Sequence, residues 1–176
     1  HSMQSVTKSI VSAVIGIAVG RGDFPDIDTP VLSFFDATQL LNIDDTKRAM
    51  TIRDLLTMSA GLEWDEGVPY SDPTNTFTIM ARSPDWVQYT LDQPMASQPG
   101  TEFNYNSGAS LILSQIFLQA TGIDIEVYAE EHLFQPLGIE RYEWKRTPTG
   151  IADTQEGLFL SARDLAKIAQ LFLQNG

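Results

Sequence analysis

The chain has no cysteine in its 176 residues. Disulfides, thiolate nucleophiles and cysteine-ligated metals are therefore excluded. Histidine is nearly absent as well. His1 stands first in the chain, and His132 falls in a helical pattern beside Glu130 and Glu131, where a structural role is expected. A serine–histidine–aspartate triad lacks its imidazole, and a zinc site lacks its usual ligands. Basic residues are also few, with 11 Lys and Arg against 23 Asp and Glu and a net charge of −12. Lys47-Arg48 and Lys145-Arg146 are only pairs, so no basic patch suits nucleic acid or an anionic membrane. No glycine-rich phosphate loop follows a strand pattern, and the acids between Glu63 and Phe77 lack calcium-loop spacing. The longest apolar run, 10–19, is too short to cross a bilayer. No signal peptide, internal repeat or low-complexity linker is visible. The sequence implies no metal and no cofactor, and it leaves bacterial periplasm, secretion and cytoplasm equally open.

What the chain does have is size enough for a real core. A chain of this length buries roughly 70% of its unfolded surface on folding. The apolar run predicts a buried helix closed by Arg21 and Gly22, with Ser5-Val6-Thr7-Lys8 at its head. Ser5, Lys8, Ser9 and Ser12 recur at helical spacing and share one face. A lysine at a helix start opposes the dipole, whereas a serine oxygen there is helped to carry negative charge. Burial and the dipole would both push Lys8 toward its neutral, basic form. A neutral lysine one turn from a hydroxyl is an activated nucleophile. The same spacing also arises from a capping serine and a solvated lysine.

Most of the remaining chain reads as helix and loop. A short helix is expected within 31–41. Thr51-Ile52-Arg53-Asp54 resembles a capping box, and its helix should end at Gly61. Glu63 to Phe77 reads as a long loop, a substrate-facing lid or an ordinary solvated loop. Ser83-Pro84 should open a helix with Pro at its first position. A helix is expected over 109–120, capped by Gly122, and another from Asp124 through Leu133. Residues 142–157 read as irregular or short strand. Ser161 and Asp164 should open a last amphipathic helix carrying Leu165, Ile168, Ala169 and Phe172. Within Phe103–Ser107, Tyr105 could relay a proton beside Lys8 or simply pack with its hydroxyl on a backbone group.

Taken in order, several motifs resemble one known family. They are Ser5-Val6-Thr7-Lys8, Asp28-Thr29-Pro30-Val31, and Leu55-Leu56-Thr57-Met58-Ser59-Ala60-Gly61-Leu62. Pro99-Gly100-Thr101 follows, leading to Tyr105-Asn106-Ser107-Gly108. Phe134 to Ile139 and Gly157 to Leu165 complete the set. The chain resembles the serine β-lactamase and penicillin-binding-protein superfamily. The resemblance points to the class C-like branch of esterases, D-aminopeptidases and 6-aminohexanoate-dimer hydrolases. It implies an acylated nucleophile at Ser5, a base at Lys8 and proton transfer through Tyr105. The Ser5 N–H would form half of an oxyanion hole, and Asn106 and Ser107 would bind substrate.

The family's usual Tyr-x-Asn reads Tyr105-Asn106-Ser107 here, with a shorter hydroxyl in place of the amide. That favours an ester or a non-lactam amide over penicillins. Residues 1–176 are expected to form the helical region, including the nucleophile helix, of an α/β-sandwich-plus-helical fold. This chain is thus mostly α, with most of the sheet and the third motif missing. Poor activity of these residues alone is expected. So is self-association or pairing with a missing fragment, through the uncovered side of the first helix. The substrate would be a small ester, amide or lactam. Two rivals stand beside hydrolysis: an acyl-binding sensor that does not turn over, and a catalytically silent scaffold.

Overall fold

A computed structural model describes residues 1–174 of the chain. The first element, α1, spans Val6–Arg21, with Ile10, Val11, Val14, Ile15 and Ala18 buried along one side. Each such side chain contributes roughly 1.5–3 kcal/mol on burial. Gly22 ends α1 in the left-handed conformation at φ 80°, and Asp23 N–H returns to the Ala18 carbonyl at 2.9 Å. The opposite face is open: Ser9, Ser12 and Gly16 are exposed, as are Val6 (45%) and Val19 (37%).

Two 3-10 turns, Val31–Phe34 and Ala37–Gln39, replace the single short helix expected before residue 41. Pro30 and Asp36 each restart the chain in extended backbone, which breaks the element in two. After them come α2 (Asp45–Arg48) and α3 (Ile52–Leu56). The capping box at Thr51 and Asp54 is present in both directions. Gly61 does not end α3; Thr57 does. Gly61, at φ 76°, instead lies where a Cβ would meet the Ser97 carbonyl at 2.4 Å, and its own carbonyl accepts the Ala96 and Ser97 N–H groups. It is there for a close backbone approach.

The next helices are α4 (Thr76–Ala81) and α5 (Trp86–Leu91). Pro84 lies outside α5. Asp85 outcompetes it as the cap by accepting both Val87 N–H and Gln88 N–H at 3.0 Å. The long α6 (Ser107–Thr121) begins two residues before the expected start, because Asn106 caps it by accepting Ala109 N–H at 3.0 Å. Gly122 closes it at φ 72°. Asp124 caps α7 (Ile125–Ala129), which runs on into a π-helical turn over Glu130–Phe134. His132 packs against Tyr128 there, with ring centroids 4.2 Å apart and the planes tilted by 57°.

Only two strands form among the described residues. They are β1 (Glu143–Trp144) and β2 (Leu158–Phe159), antiparallel, with Trp144 opposite Leu158. Ser2 also bridges to Phe159, and Met3 N–H donates to the Leu158 carbonyl at 2.8 Å. These bonds bring the start of α1 against the segment before β2. The last helix, α8 (Ala162–Leu173), opens on the expected Ser161 cap, but of its apolar face only Ile168 is buried. Leu165 is half-buried and Phe172 is exposed. The core is helix on helix: α6 is buried along most of its length, and its Phe117 stacks on Phe24 at 5.2 Å. The described chain is mostly helical, as expected, with one two-stranded sheet.

Candidate active site

Ser5 is the residue from which α1 departs, with helical backbone at φ −65° and ψ −10°. Serine at this position normally spends its oxygen on the helix's free N–H groups. Here it does not. The first three N–H groups, of Val6, Thr7 and Lys8, are taken by the Met3, Gln4 and Ser5 carbonyls at 3.0, 2.9 and 3.1 Å. The hydroxyl is therefore left for other partners. The turn that achieves this puts Gln4 at φ 45°, a left-handed conformation that costs a non-glycine residue about 1–2 kcal/mol. Among the described residues, no acceptor takes the Ser5 N–H.

Two side chains converge on the exposed Ser5 oxygen. Lys8 Nζ lies 3.2 Å from Ser5 Oγ, one helical turn along α1. The Tyr105 hydroxyl donates to the same oxygen at 2.7 Å from one hundred residues away. Tyr105 is 38% exposed, so the meeting point is open to a substrate. Lys8 Nζ also lies 5.1 Å from the centre of the Tyr105 ring. Lys8 is half-buried rather than enclosed. Its second hydrogen-bond acceptor is the Gln155 carbonyl at 2.8 Å.

That carbonyl belongs to the turn before β2. Asp153 Oδ1 holds the turn by accepting the Gln155 and Glu156 N–H groups at 3.0 and 3.3 Å. Burial pushes the Asp153 carboxyl up to about 6, against the lowering effect of those two N–H groups. A Cβ on Gly157 would sit 2.6 Å from Asp153 Cβ and from its carbonyl oxygen, so the tight turn admits no side chain there.

Asn106 and Ser107, expected at the substrate, are both 3% exposed and committed within the chain. Asn106 caps α6. Ser107 donates its N–H and its hydroxyl to the two oxygens of Glu66, each at 2.8 Å. Glu66 and the Gln155 carbonyl are the site's unforeseen members. The first is one acid in an acid-rich loop. The second is a backbone group, which no side-chain pattern announces.

The constellation is an oxygen with two proton-transfer partners and a free N–H at a helix start. Such a set can form a covalent intermediate with a carbonyl compound and stabilise negative charge beside it.

Comparison with known proteins agrees with this architecture. The family model described as Beta-lactamase matches residues 1–176. The chain is 30% identical over 124 residues to monacolin J acid methylbutanoyltransferase of Aspergillus terreus, covering 69% of this chain and 30% of that protein. It is 24% identical over 187 residues to 6-aminohexanoate-dimer hydrolase of Paenarthrobacter ureafaciens, covering 100% of this chain and 46% of that protein. The chain thus spans less than half the length of these relatives. A D-stereospecific amidohydrolase from Streptomyces superposes with a TM-score of 0.76 at 18% identity, over 99% of this chain and 61% of that one. With the whole of its length matched by the family model and its fold shared with such structures, the chain belongs to the Beta-lactamase family, within the serine β-lactamase and penicillin-binding-protein superfamily.

Proposed function

We propose that the protein is a serine hydrolase that cleaves an ester or amide through an acyl-enzyme on Ser5. The observation that carries the reading is the Tyr105 hydroxyl on Ser5 Oγ at 2.7 Å, with Lys8 Nζ at 3.2 Å from the same oxygen. Lys8 in its neutral form takes the Ser5 proton as Oγ attacks the carbonyl carbon. The oxygen of that carbonyl gains negative charge beside the Ser5 N–H. Tyr105 returns a proton to the leaving alcohol or amine as its bond breaks. Water, activated through the same two groups, then attacks the acyl carbon and frees Ser5. Asn106 and Ser107, expected to bind substrate, are assigned instead to positioning Tyr105, because Asn106 caps α6 and Ser107 is bonded to Glu66.

The acyl-enzyme is common to hydrolysis and to acyl transfer, and the chain resembles relatives named for each. Water as the acceptor makes a hydrolase, and a bound alcohol makes a transferase. Residues 1–176 are read as the helical region carrying the nucleophile helix. The outer face of α1, with Val6 and Val19 exposed, supports self-association of this chain or its pairing with a complementary fragment.

The test is pre-steady-state hydrolysis of p-nitrophenyl butyrate by the intact protein, poor activity being expected of residues 1–176 taken alone. A stoichiometric burst of nitrophenol followed by turnover is expected. A burst without turnover would mark an acyl-binding sensor, and no burst would mark a silent scaffold.

A further inference from the structure

Tyr105 is held on both flanks by one short stretch of the loop that precedes α4. On one side, Asn104 Nδ2 donates to the Trp64 carbonyl at 2.9 Å, and Asn104 N–H donates to the Met58 carbonyl at 2.8 Å. On the other side stands Glu66. Its Oε2 accepts Ser107 N–H at 2.8 Å and the Trp64 indole N–H at 2.6 Å, and its Oε1 accepts the Ser107 hydroxyl at 2.8 Å. One carboxylate therefore collects three donors, two of them from the first residue of α6. Hydrogen bonds to an ionised acceptor are shorter and stronger than neutral ones. A negative charge is also favoured at the start of a 15-residue helix.

We infer that Glu66 is a positioning residue for Tyr105, fixing the start of α6 against the loop and so holding the Tyr105 hydroxyl on Ser5 Oγ. The inference rests on the acyl-transfer reading of Ser5. Among the described residues, Glu66 makes no hydrogen bond to Ser5, Lys8 or Tyr105, so its effect passes through Ser107 and Asn106, the one residue between Ser107 and Tyr105. The geometry also distinguishes the carboxylate's shape from its charge. Both N–H donors meet one oxygen, and a hydroxyl meets the other. A glutamine amide fits the same three partners. Its oxygen accepts the two N–H groups, and its NH₂ donates to Ser107 Oγ, which can accept as well as donate. An alanine fits none of them.

The test is steady-state ester hydrolysis by Glu66→Ala, Glu66→Gln and Ser107→Ala, each made in the wild-type protein and with Tyr105→Phe. A displacement of about 1 Å at a reacting group costs up to about 100-fold in rate. Glu66→Ala should therefore lower kcat by about 10- to 100-fold with KM changed by less than about threefold. Glu66→Gln should recover most of that loss. Ser107→Ala, which removes one bond and keeps the fold, should cost a few-fold. With Tyr105 already replaced, all three should cost almost nothing further, since effects routed through one residue are not additive. Equal losses with and without Tyr105→Phe would overturn the inference, as would Glu66→Gln being as poor as Glu66→Ala. Full activity of Ser5→Ala and Tyr105→Phe would overturn the acyl-transfer reading itself.

Discussion

Lys8 Nζ donates to the main-chain carbonyl of Gln155 at 2.8 Å, across 147 residues of chain. This bond aims the lysine. With Nζ anchored on that carbonyl and lying over the Tyr105 ring, its reach to Ser5 Oγ is set by groups from three separate segments. A positioned base typically supplies about 10²- to 10⁴-fold in rate. Lys8→Met should therefore slow acylation of Ser5 by about that factor. Its melting temperature should stay close to wild type, because Lys8 is only half-buried. Stopped-flow hydrolysis of an activated ester, paired with thermal denaturation, measures both. A large fall in melting temperature with intact acylation would contradict the assignment.

Asp153, which holds the turn beneath that carbonyl, makes stability depend on pH in an unusual direction. Burial raises its folded carboxyl to about 6, against about 3.9 in an unfolded chain. Between those values the folded state binds more protons than the unfolded state, so stability falls as pH rises through the window. The penalty is absent below about pH 4 and fully present above about pH 6, at ~3 kcal/mol. Asp153→Asn keeps an oxygen for the Gln155 and Glu156 N–H groups and cannot ionise. The variant should gain stability over wild type at pH 7 and match it near pH 4, read by urea denaturation at both. The comparison between variants isolates Asp153 from carboxylates such as Asp28, whose contact with Arg53 lowers its pKa and gives the opposite slope. An equal difference at both pH values would contradict the account.

Gly108 predicts a steric coupling between α5 and the site. A Cβ there would lie 2.3 Å from Thr90 Oγ1 and 2.6 Å from Thr90 Cγ2. Thr90 is fully buried and donates to the Trp86 carbonyl at 2.7 Å, so it cannot swing aside freely. Gly108→Ala should destabilise by about 1–3 kcal/mol, the usual range for overpacking. It should also lower kcat, because Tyr105 lies two residues before the displaced start of α6. Adding Thr90→Ala, which removes the clashing atoms, should restore part of both losses. Purely additive effects in urea denaturation would contradict the coupling.

Much of the fold was legible wherever local chemistry decided the structure. The caps at Thr51, Asp124 and Ser161 and the left-handed glycines at Gly22 and Gly122 lie where their side chains or lack of one require. The misreadings arose where two local signals competed or a distant segment intervened. Pro84 carries the signature of a first helical residue, yet the Asp85 carboxylate one residue later makes the better cap. Gly61 has the sequence signature of a helix stop, yet it serves the close approach of the Ser97 backbone, which sequence order hides. The site divides in the same way. Ser5 and Lys8 are one turn apart, so their meeting follows from helical spacing alone. Tyr105 came from its motif, and the structure brings its hydroxyl to Ser5. Glu66 and the Gln155 carbonyl left no sequence signal, since their partners Ser107 and Lys8 are brought close only by the tertiary fold; Asp153 makes a local turn whose relation to Lys8 appears only once the chain is folded.

The central claim is that Ser5 is the acylated residue. The most direct measurement is peptide-resolved mass spectrometry of the protein after treatment with a fluorophosphonate ester. One adduct per chain is expected on the peptide containing Ser5, with none in Ser5→Ala and slowed labelling in Lys8→Met and Tyr105→Phe. An adduct on another residue, or an unchanged adduct in Ser5→Ala, would contradict the claim.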